Sequence, residues 1–242
     1  MSGANVVVDG GATAYARCQC ATQLQRSATD HLRESDRMPT TAPEKLTPKG
    51  RATRERILAV AAELMSRRGV AGTTIEDIQE GAAVSTSQMY HYFADKGDLV
   101  AAVIDFQTDQ VLAVQHLGLD RLECLEDLRR WRDIMVDLVR DLGCVGGCPI
   151  GSLANELAET DPIARAQLAR SFAQWEKMIH DGLKVIAARG ELPDSTDVDN
   201  LALAMLAAIQ GGLLLSQVRR DTAPLEAAVD TMIDYLRALG VR

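Results

Sequence analysis

The stretch that decides the fold of this chain is TTIEDIQEGAAVSTSQMYHYFADKGDLVAAVI, residues 73–104. It contains two short helical segments, 74–80 and 85–93, which lie about four residues apart, the spacing of a helix-turn-helix motif. The second segment begins with small polar side chains and continues with aromatic ones. Because small polar side chains at the start of a helix can approach base edges in the major groove, the stretch predicts a DNA-binding protein.

Capping signatures mark where these helices begin. Thr73 is followed three residues later by Glu76, and this is the spacing of a capping box, in which each side chain bonds the other residue's backbone N–H. Ser85 and Gln88 form a second pair of the same kind. Asp95 is predicted to cap a much longer third helix.

Outward from this motif, apolar residues recur at helical spacing over most of the chain. Helical stripes are predicted over 51–68, before the motif, and over 197–219 and 223–239 near the end of the chain. Asp161 followed by Pro162 predicts the start of another helix, because proline is favoured in the first turn. No segment alternates like a β-strand for more than a few residues, so the fold class is predicted to be all-α.

The overall charge of the chain argues against nucleic-acid binding until it is divided by region. The 242 residues include 26 Lys and Arg and 34 Asp and Glu, for a formal net charge of −8, whereas surfaces that meet phosphate are usually basic. Residues 38–100 hold 8 basic and 8 acidic side chains, while residues 101–242 hold 14 basic and 22 acidic ones. The acidity therefore belongs to the C-terminal part, where it repels phosphate and keeps that part off the duplex.

The run VSTSQMYHYFADKGDL, residues 84–99, resembles the DNA-binding signature of the TetR family of transcriptional regulators. Its aromatic block, Phe93, Lys96 and Leu99 fall at the offsets of that signature. The resemblance implies an N-terminal three-helix helix-turn-helix domain followed by an α-helical ligand-binding and dimerisation domain. The residues that it places on DNA phosphate or at the major groove are Thr73, Thr74, Ser85, Thr86, Ser87, Gln88, Tyr90, His91, Tyr92 and Lys96.

One position departs from the family pattern. The family usually has glycine two residues before the serine of the recognition helix, and this chain has Ala83 there. Because a left-handed backbone costs more in alanine than in glycine, the turn is expected to be slightly re-set. Met89 and Phe93 are expected to face the small core beneath the helix rather than DNA.

Three regions are predicted along the chain. Residues 1–48 are expected to form a flexible N-terminal arm, because they lack helical spacing and contain several prolines and glycines. Residues 49–98 are assigned to the DNA-binding domain and residues 99–242 to the ligand-binding and dimerisation domain. Met38 is a candidate translation start, since everything recognisable follows it. A basic cluster beside the motif either follows the DNA backbone or is a solvated surface, and it comprises Lys45, Lys49, Arg51, Arg54 and Arg56.

Residues 201–218, LALAMLAAIQGGLLLSQV, are apolar nearly all round a helix. Such a helix must be buried on several sides, and its polar interruptions favour a core helix over a membrane span. The resemblance implies a homodimer through helices 197–219 and 223–239, in which Gly211 and Gly212 let a partner backbone approach closely. A two-fold dimer places two recognition helices about one turn of DNA apart and requires a pseudo-palindromic operator.

The cysteines indicate both a compartment and a candidate sensor. Five cysteines, with no apolar signal segment in the first 20 residues, favour reduced thiols in the cytoplasm. The run GCPIGSLANEL, residues 147–157, resembles a TetR subset in which a cysteine precedes a Gly-x-Leu-Ala-x-Glu-Leu helix, and some relatives in that subset respond to electrophiles or hydrophobic compounds. Cys148 directly precedes Pro149 at the start of this helix, where the helix dipole favours a thiolate. Cys144 is close enough in sequence to act as a resolving thiol.

A mostly apolar small-molecule effector is expected to bind beside this segment. The predicted ligand-binding residues are Trp131, Met135, Cys148, Asn155, Phe172, Trp175, Met178 and Ile179. The same stripe of aromatic and apolar residues also fits an ordinary core, and His116, His180 and Glu156 are further candidate polar anchors. Effector binding is expected to rotate the helix that begins at Asp95 and so change the separation of the two recognition helices.

Other functions stay open at the level of sequence. Cys148 is a candidate redox or electrophile sensor, or the nucleophile of a cysteine-dependent enzyme, although catalysis needs a histidine base that the sequence does not place beside it. A metal sensor would use cysteines whose spacing matches common zinc sites poorly, namely Cys18, Cys20, Cys144 and Cys148. A DNA-binding module without a ligand is a further alternative. The preferred prediction is a ligand-responsive homodimeric repressor that is not an enzyme and needs no cofactor.

Overall fold

The computed structural model describes residues 46–240, and within that range it contains nine α-helices and no β-strand. The all-α prediction is therefore confirmed. The helices are α1 (Pro48–Arg68), α2 (Ile75–Ala82), α3 (Thr86–Tyr92), α4 (Lys96–Leu119), α5 (Leu125–Asp141), α6 (Pro149–Leu157), α7 (Pro162–Ala188), α8 (Val198–Arg219) and α9 (Ala223–Gly240). The predictions for residues 1–45, which include the candidate start at Met38 and the role of Lys45, lie outside the described residues.

Most helix starts follow from the capping residues in the sequence. Asp95 caps α4 by accepting the N–H of Asp98, and Asp161 caps α7 directly before Pro162. The first helix begins earlier than its apolar stripe predicts. Thr47 accepts the N–H of Gly50 and proline occupies the first position of α1, so the helix gains a turn before residue 51.

Helices α1, α2 and α3 form the helix-turn-helix domain, with α1 packed against both α2 and α4. Its small core consists of side chains with almost no exposed surface, including Ile57, Ile78, Met89 and Phe93. Met89 on the inner side of α3 and Phe93 directly after the helix both face this core, as predicted. Burying this inner side leaves the opposite side of α3 free for solvent or a partner.

Helices α4 to α9 form the larger half of the molecule. Helix α4 packs against α5, α6 and α7, while α7 also contacts α8, and α8 packs along α9. Close approach of the helices requires glycine at two positions: a Cβ on Gly118 would lie 2.6 Å from Trp131, and one on Gly182 would lie 2.5 Å from Leu122. The side chains of Trp131 and Trp175, which have almost no exposed surface, pack at the centre of this core.

Helix α8 is long and apolar enough to cross a membrane by length and composition, the one helix of that kind among the described residues. Only 39% of its most apolar window is buried within the chain. Leu203, Leu214 and Val218 are exposed by 53%, 53% and 73%. One side of α8 packs on α7 and α9, and the other side carries apolar side chains that nothing in the described chain covers.

Candidate nucleic-acid interface

The start of α3 is held by the reciprocal capping box predicted from the sequence. The backbone N–H of Gln88 donates to Ser85 Oγ at 3.2 Å, and the N–H of Ser85 donates to Gln88 Oε1 at 3.0 Å. These bonds use one oxygen of each side chain and leave the amide NH2 of Gln88 without a partner among the described residues. The capping function and a base contact by Gln88 are therefore compatible, because different atoms perform them.

The outer side of α3 is a continuous polar and aromatic surface. Thr86, Ser87, Gln88 and His91 are exposed, and Tyr90 is 55% exposed. Side chains of this length and polarity on one side of a short helix can reach base edges and backbone phosphates of a duplex. The structure thus brings five of the predicted DNA-binding residues together on one surface.

The first helix of the motif is capped by Thr74, so the predicted Thr73–Glu76 capping box is wrong by one residue. The Thr74 hydroxyl accepts the N–H of Asp77 and donates to its carboxylate at 2.8 Å. The backbone N–H of Thr74 and then its hydroxyl stabilise the charged form of Asp77, and these bonds hold the pKa of that carboxyl below its ordinary value. Thr74 is exposed and stays a candidate for phosphate contact.

Thr73 is removed from the candidate DNA contacts by its burial. Its side chain has no exposed surface, and its hydroxyl donates to the carbonyl of Gly69 at 2.8 Å. A phosphate cannot reach a hydroxyl that is enclosed in the protein and already bonded. Two adjacent threonines are equivalent in a capping pattern, and only the path of the chain into α2 decides which one faces outward.

Tyr92 and Lys96 are half-buried and each contacts the N-terminal side of the domain. The Tyr92 hydroxyl lies 3.6 Å from the position that a Cβ on Gly50 would take, next to the start of α1. The ammonium of Lys96 donates to the carbonyl of Val70 at 2.8 Å, which ties the start of α4 to the turn between α1 and α2. An ammonium has three donors, so Lys96 can hold this turn and a phosphate together.

The turn between α2 and α3 keeps the left-handed geometry that the family's glycine would supply. Ala83 has φ 50° and ψ 52°, and its N–H bonds to the carbonyls of Gln79 and Glu80. The expectation that the turn would be re-set is therefore wrong. Alanine tolerates the conformation at a cost of about 1 kcal/mol, because its Cβ approaches the following carbonyl.

Three arginines of the predicted basic cluster have partners inside the domain. Arg56 Nε donates to the carbonyl of Ala82 at 2.8 Å, and the Arg54 guanidinium lies 5.4 Å from the centre of the Phe93 ring. Arg51 donates to the carbonyl of Leu46 at 2.7 Å. Arg56 and Arg54 thus position α2 and α3 relative to α1, a role that the sequence does not reveal because their partners are on other elements. The bond of Arg51 stays at the start of α1.

The predicted ligand-binding residues divide into core, partly buried and exposed positions. Trp131 and Ile179 have no exposed surface, and Trp131 Nε1 donates to Gln115 Oε1 at 2.9 Å, so these two fill the core. Met135, Cys148 and Trp175 are also buried, whereas Phe172 and Met178 are partly buried. Asn155 is exposed on α6, unlike these buried side chains, and its role as a polar anchor stays a prediction.

Cys148 caps α6 before Pro149 as predicted, with its sulfur 3.4 Å from the N–H of Gly151. The predicted thiolate is not favoured, because burial raises the pKa of the Cys148 thiol and outweighs the N–H groups around it. Cys144 is buried as well, and Cys124, Cys144 and Cys148 are free thiols. Among the described residues no three metal-ligating side chains cluster, and Cys18 and Cys20 lie outside them.

Known sequence families match two separate parts of the chain. Residues 57–103 match the family described as "Bacterial regulatory proteins, tetR family", and residues 124–232 match "Tetracyclin repressor-like, C-terminal domain". The first match contains the whole helix-turn-helix motif. The second runs from the start of α5 into α9.

Similar proteins are matched over nearly all of their own length. A protein of Lactococcus lactis described as an HTH-type transcriptional regulator in the lacX 3′ region is 32% identical, over 78% of this chain and 96% of that protein. The HTH-type transcriptional regulator TtgR of Pseudomonas putida is 30% identical, over 76% of this chain and 91% of that protein.

Solved structures share the arrangement of helices. A TetR transcriptional regulator from Chloroflexus aurantiacus has a TM-score of 0.67 and 30% identity, over 78% of this chain and 96% of that one. The regulatory protein TetR from Rhodobacter sphaeroides has a TM-score of 0.69 and 22% identity, over 76% and 98%, which shows likeness of fold alone.

Proposed function

The chain belongs to the TetR family of bacterial transcriptional regulators, and we propose that it acts in the cytoplasm as a homodimeric repressor that a small effector releases from a pseudo-palindromic operator. The observation that carries this proposal is the outer side of α3. Its exposed polar residues stand on a helix that is held against the core by Met89 on its inner side and by Phe93 directly after it. A rigid helix that presents short polar side chains is suited to reading a major groove.

The proposed DNA contacts follow from exposure. Thr86, Ser87 and Gln88 face the base edges, while Tyr90 and His91 reach the backbone from the same surface. Thr74, Tyr92 and Lys96 contact phosphate from the edges of the motif. Because few long polar side chains are available for base contacts, DNA shape contributes to the choice of operator.

The proposed dimer interface is the apolar stripe of α8, which we define as Leu203, Ala207, Gly211, Leu214 and Val218. These residues recur every three or four positions, all are exposed, and the helix between Asp199 and Arg219 carries no charged side chain. An uncovered stripe of five such residues along one helix of a monomer marks an interface. A second copy supplies the matching surface by two-fold symmetry.

The two glycines of α8 have different roles. A Cβ on Gly211 would have nothing within 4 Å, so its backbone is open to a partner helix. A Cβ on Gly212 would lie 2.8 Å from Leu225 Cα, so this glycine serves the packing of α8 on α9 within one chain. The expectation that both glycines face the partner is wrong for Gly212.

We place the effector beside Phe172, Trp175 and Met178 on α7. Trp175 Nε1 is buried and has no hydrogen-bond partner in the described part of the chain, and a buried N–H of this kind calls for an acceptor. An apolar molecule with one acceptor atom would satisfy it. Since α7 packs along α4, a ligand that shifts α7 would move the start of α4 and the motif attached to it.

The test begins with DNA selected by the purified full-length protein from a random duplex pool, where a pseudo-palindromic consensus is expected. Lys96→Ala should weaken binding to every selected duplex and reduce the dependence of log K on log salt by about one per subunit. Lys177→Ala is the matched control, because Lys177 is an exposed lysine on α7 that pairs with Asp181. An unchanged salt dependence for Lys96→Ala would contradict its phosphate contact.

The dimer is tested separately from DNA. Leu214→Glu places a charge in the apolar stripe and should convert the dimer to monomers, with loss of operator binding. Ile163→Glu is the control, because Ile163 is 79% exposed at the start of α7 and lies outside the stripe. Sedimentation at several protein concentrations reports the association, and a variant that stays fully dimeric would place the interface elsewhere.

A further inference from the structure

A carboxylate from the C-terminal half holds the helix-turn-helix domain at the turn between α1 and α2. Glu156 on α6 accepts the N–H of Val70 through Oε2 and the N–H of Ala71 through Oε1, each at 2.8 Å. Gly69 precedes these residues with φ 76°, and a Cβ there would lie 3.1 Å from the carboxylate. The close approach of Glu156 therefore depends on glycine at this corner.

A cavity of about 130 Å3 lies beside this contact, and we call it the junction cavity. It is lined by α1, α4 and α6 together. Its apolar wall includes Met65, Val103 and Leu153, which are almost completely buried. Its polar residues are Ser66, Gln107, Ser152 and Glu156. Phe172, Trp175 and Met178, beside which we place the effector, do not line it.

The carboxylate of Glu156 is hydrogen-bonded by the protein but has no positively charged side chain beside it. No Lys, Arg or His of the described residues lies within 4.0 Å of its carboxylate, which is held by two backbone N–H groups alone. A carboxylate has about four lone-pair sites, so about two stay available. A cationic donor in the cavity would gain a charge-assisted hydrogen bond without displacing either N–H.

We propose that the junction cavity is a second binding site of this protein, for a small amine that places its ring or alkyl group against Met65, Val103 and Leu153 and its ammonium against Glu156. The volume is slightly below that of an apolar cavity of about 150 Å3 that holds benzene, so it limits the ligand to one ring at most. Ser66 and Ser152 are exposed at the rim and provide a route from solvent. The ligand would touch both halves of the chain at the corner that fixes their relative position.

Benzylamine is the probe, titrated into the full-length protein labelled with 13C at the methionine methyls, without DNA. The Met65 methyl should shift with a dissociation constant of about 1 mM, as expected for a ligand of about eight non-hydrogen atoms. The Met135 methyl, on α5 and outside the cavity, should stay in place. Benzyl alcohol should bind at least about tenfold more weakly, and benzoate more weakly still, because they lack the positive charge.

Two variants test the residues. Glu156→Gln should lower the affinity for benzylamine to that for benzyl alcohol, while Glu159→Gln, an exposed carboxylate just after α6, should change it by less than about twofold. Ser152→Phe should fill the entrance and abolish the Met65 shift with Glu156 intact. This variant decides the matter if Glu156→Gln disturbs the fold, which the position of the Met135 methyl reports.

The proposal is overturned by any of three results: no Met65 shift at about ten times the expected constant, equal affinities for benzylamine and benzyl alcohol, or an unchanged affinity in Glu156→Gln. Because the measurement uses no operator, it stands or falls independently of the proposed repressor function.

Discussion

The polar contacts that shape α3 and those that hold the core of the larger half span different distances along the chain. In the motif, Ser85 bonds with Gln88 only three residues away. In the larger half, Trp131 bonds with Gln115 across 16 residues, and Arg132 with Asp230 across 98. The first kind of bond needs only the residues at the start of one helix, whereas the second exists only after the helices have packed.

The two regions also expose opposite chemistry. The outer side of α3 presents hydroxyl, amide and imidazole groups over a buried apolar inner side. The apolar stripe of α8 presents leucine, valine, alanine and glycine. Polar groups positioned by a small core suit a hydrated, charged duplex, while an apolar stripe suits a second copy of the same helix. Substitutions in the motif should therefore change DNA binding, and substitutions in the larger core should change folding.

The largest effect is expected from Trp131→Ala. Trp131 has no exposed surface, and its removal leaves a cavity and an unpaired Gln115, so the free energy of unfolding should fall by about 3–5 kcal/mol. Tyr90→Ala is the comparison, because Tyr90 is 55% exposed. It should change stability by less than about 0.5 kcal/mol and still weaken operator binding. Denaturant unfolding at one fixed protein concentration measures the stability of both variants. Equal losses of stability would contradict the difference between the two regions.

A smaller effect is expected from Ser85→Ala, which removes the capping oxygen of α3. The free energy of unfolding should fall by about 1 kcal/mol, because the N–H of Gln88 loses its acceptor. Ser87→Ala serves as the control, since the exposed Ser87 hydroxyl makes no hydrogen bond to the described residues. Urea titrations of both variants would show a wrong assignment of the cap if Ser87→Ala cost as much.

The smallest effect is expected from Ala83→Gly, and it has the opposite sign. Glycine relieves the left-handed strain of about 1 kcal/mol but adds freedom to the unfolded chain, so a net stabilisation of about 0.5 kcal/mol is expected. Ala71→Gly, at an exposed turn position without positive φ, should destabilise instead. Thermal unfolding distinguishes the two, and stabilisation by both would point to a cause other than strain.

The helix caps show most clearly which features can be predicted from the sequence alone. Asp95, Asp161 and Ser85 are predicted correctly because a capping side chain and the backbone N–H that donates to it lie within one helical turn. Thr73 and Thr74 are not separated by the same pattern, since each is followed by an acidic residue three positions later. Burial of Thr73 against the α1–α2 turn decides between them, and that burial depends on the path of the chain between two helices.

The sequence by itself determined that this protein is all-α, that α3 carries polar residues outside and apolar ones inside, and that the acidity belongs to the C-terminal half. These properties depend on helical period, local capping and composition, which act between near neighbours. Only the tertiary structure decided that Glu156 reaches Val70, that the Cys148 thiol has a raised pKa, and that Asn155 faces solvent. Such properties depend on which helices meet, because burial and long-range hydrogen bonds are set by atoms that lie far apart along the chain.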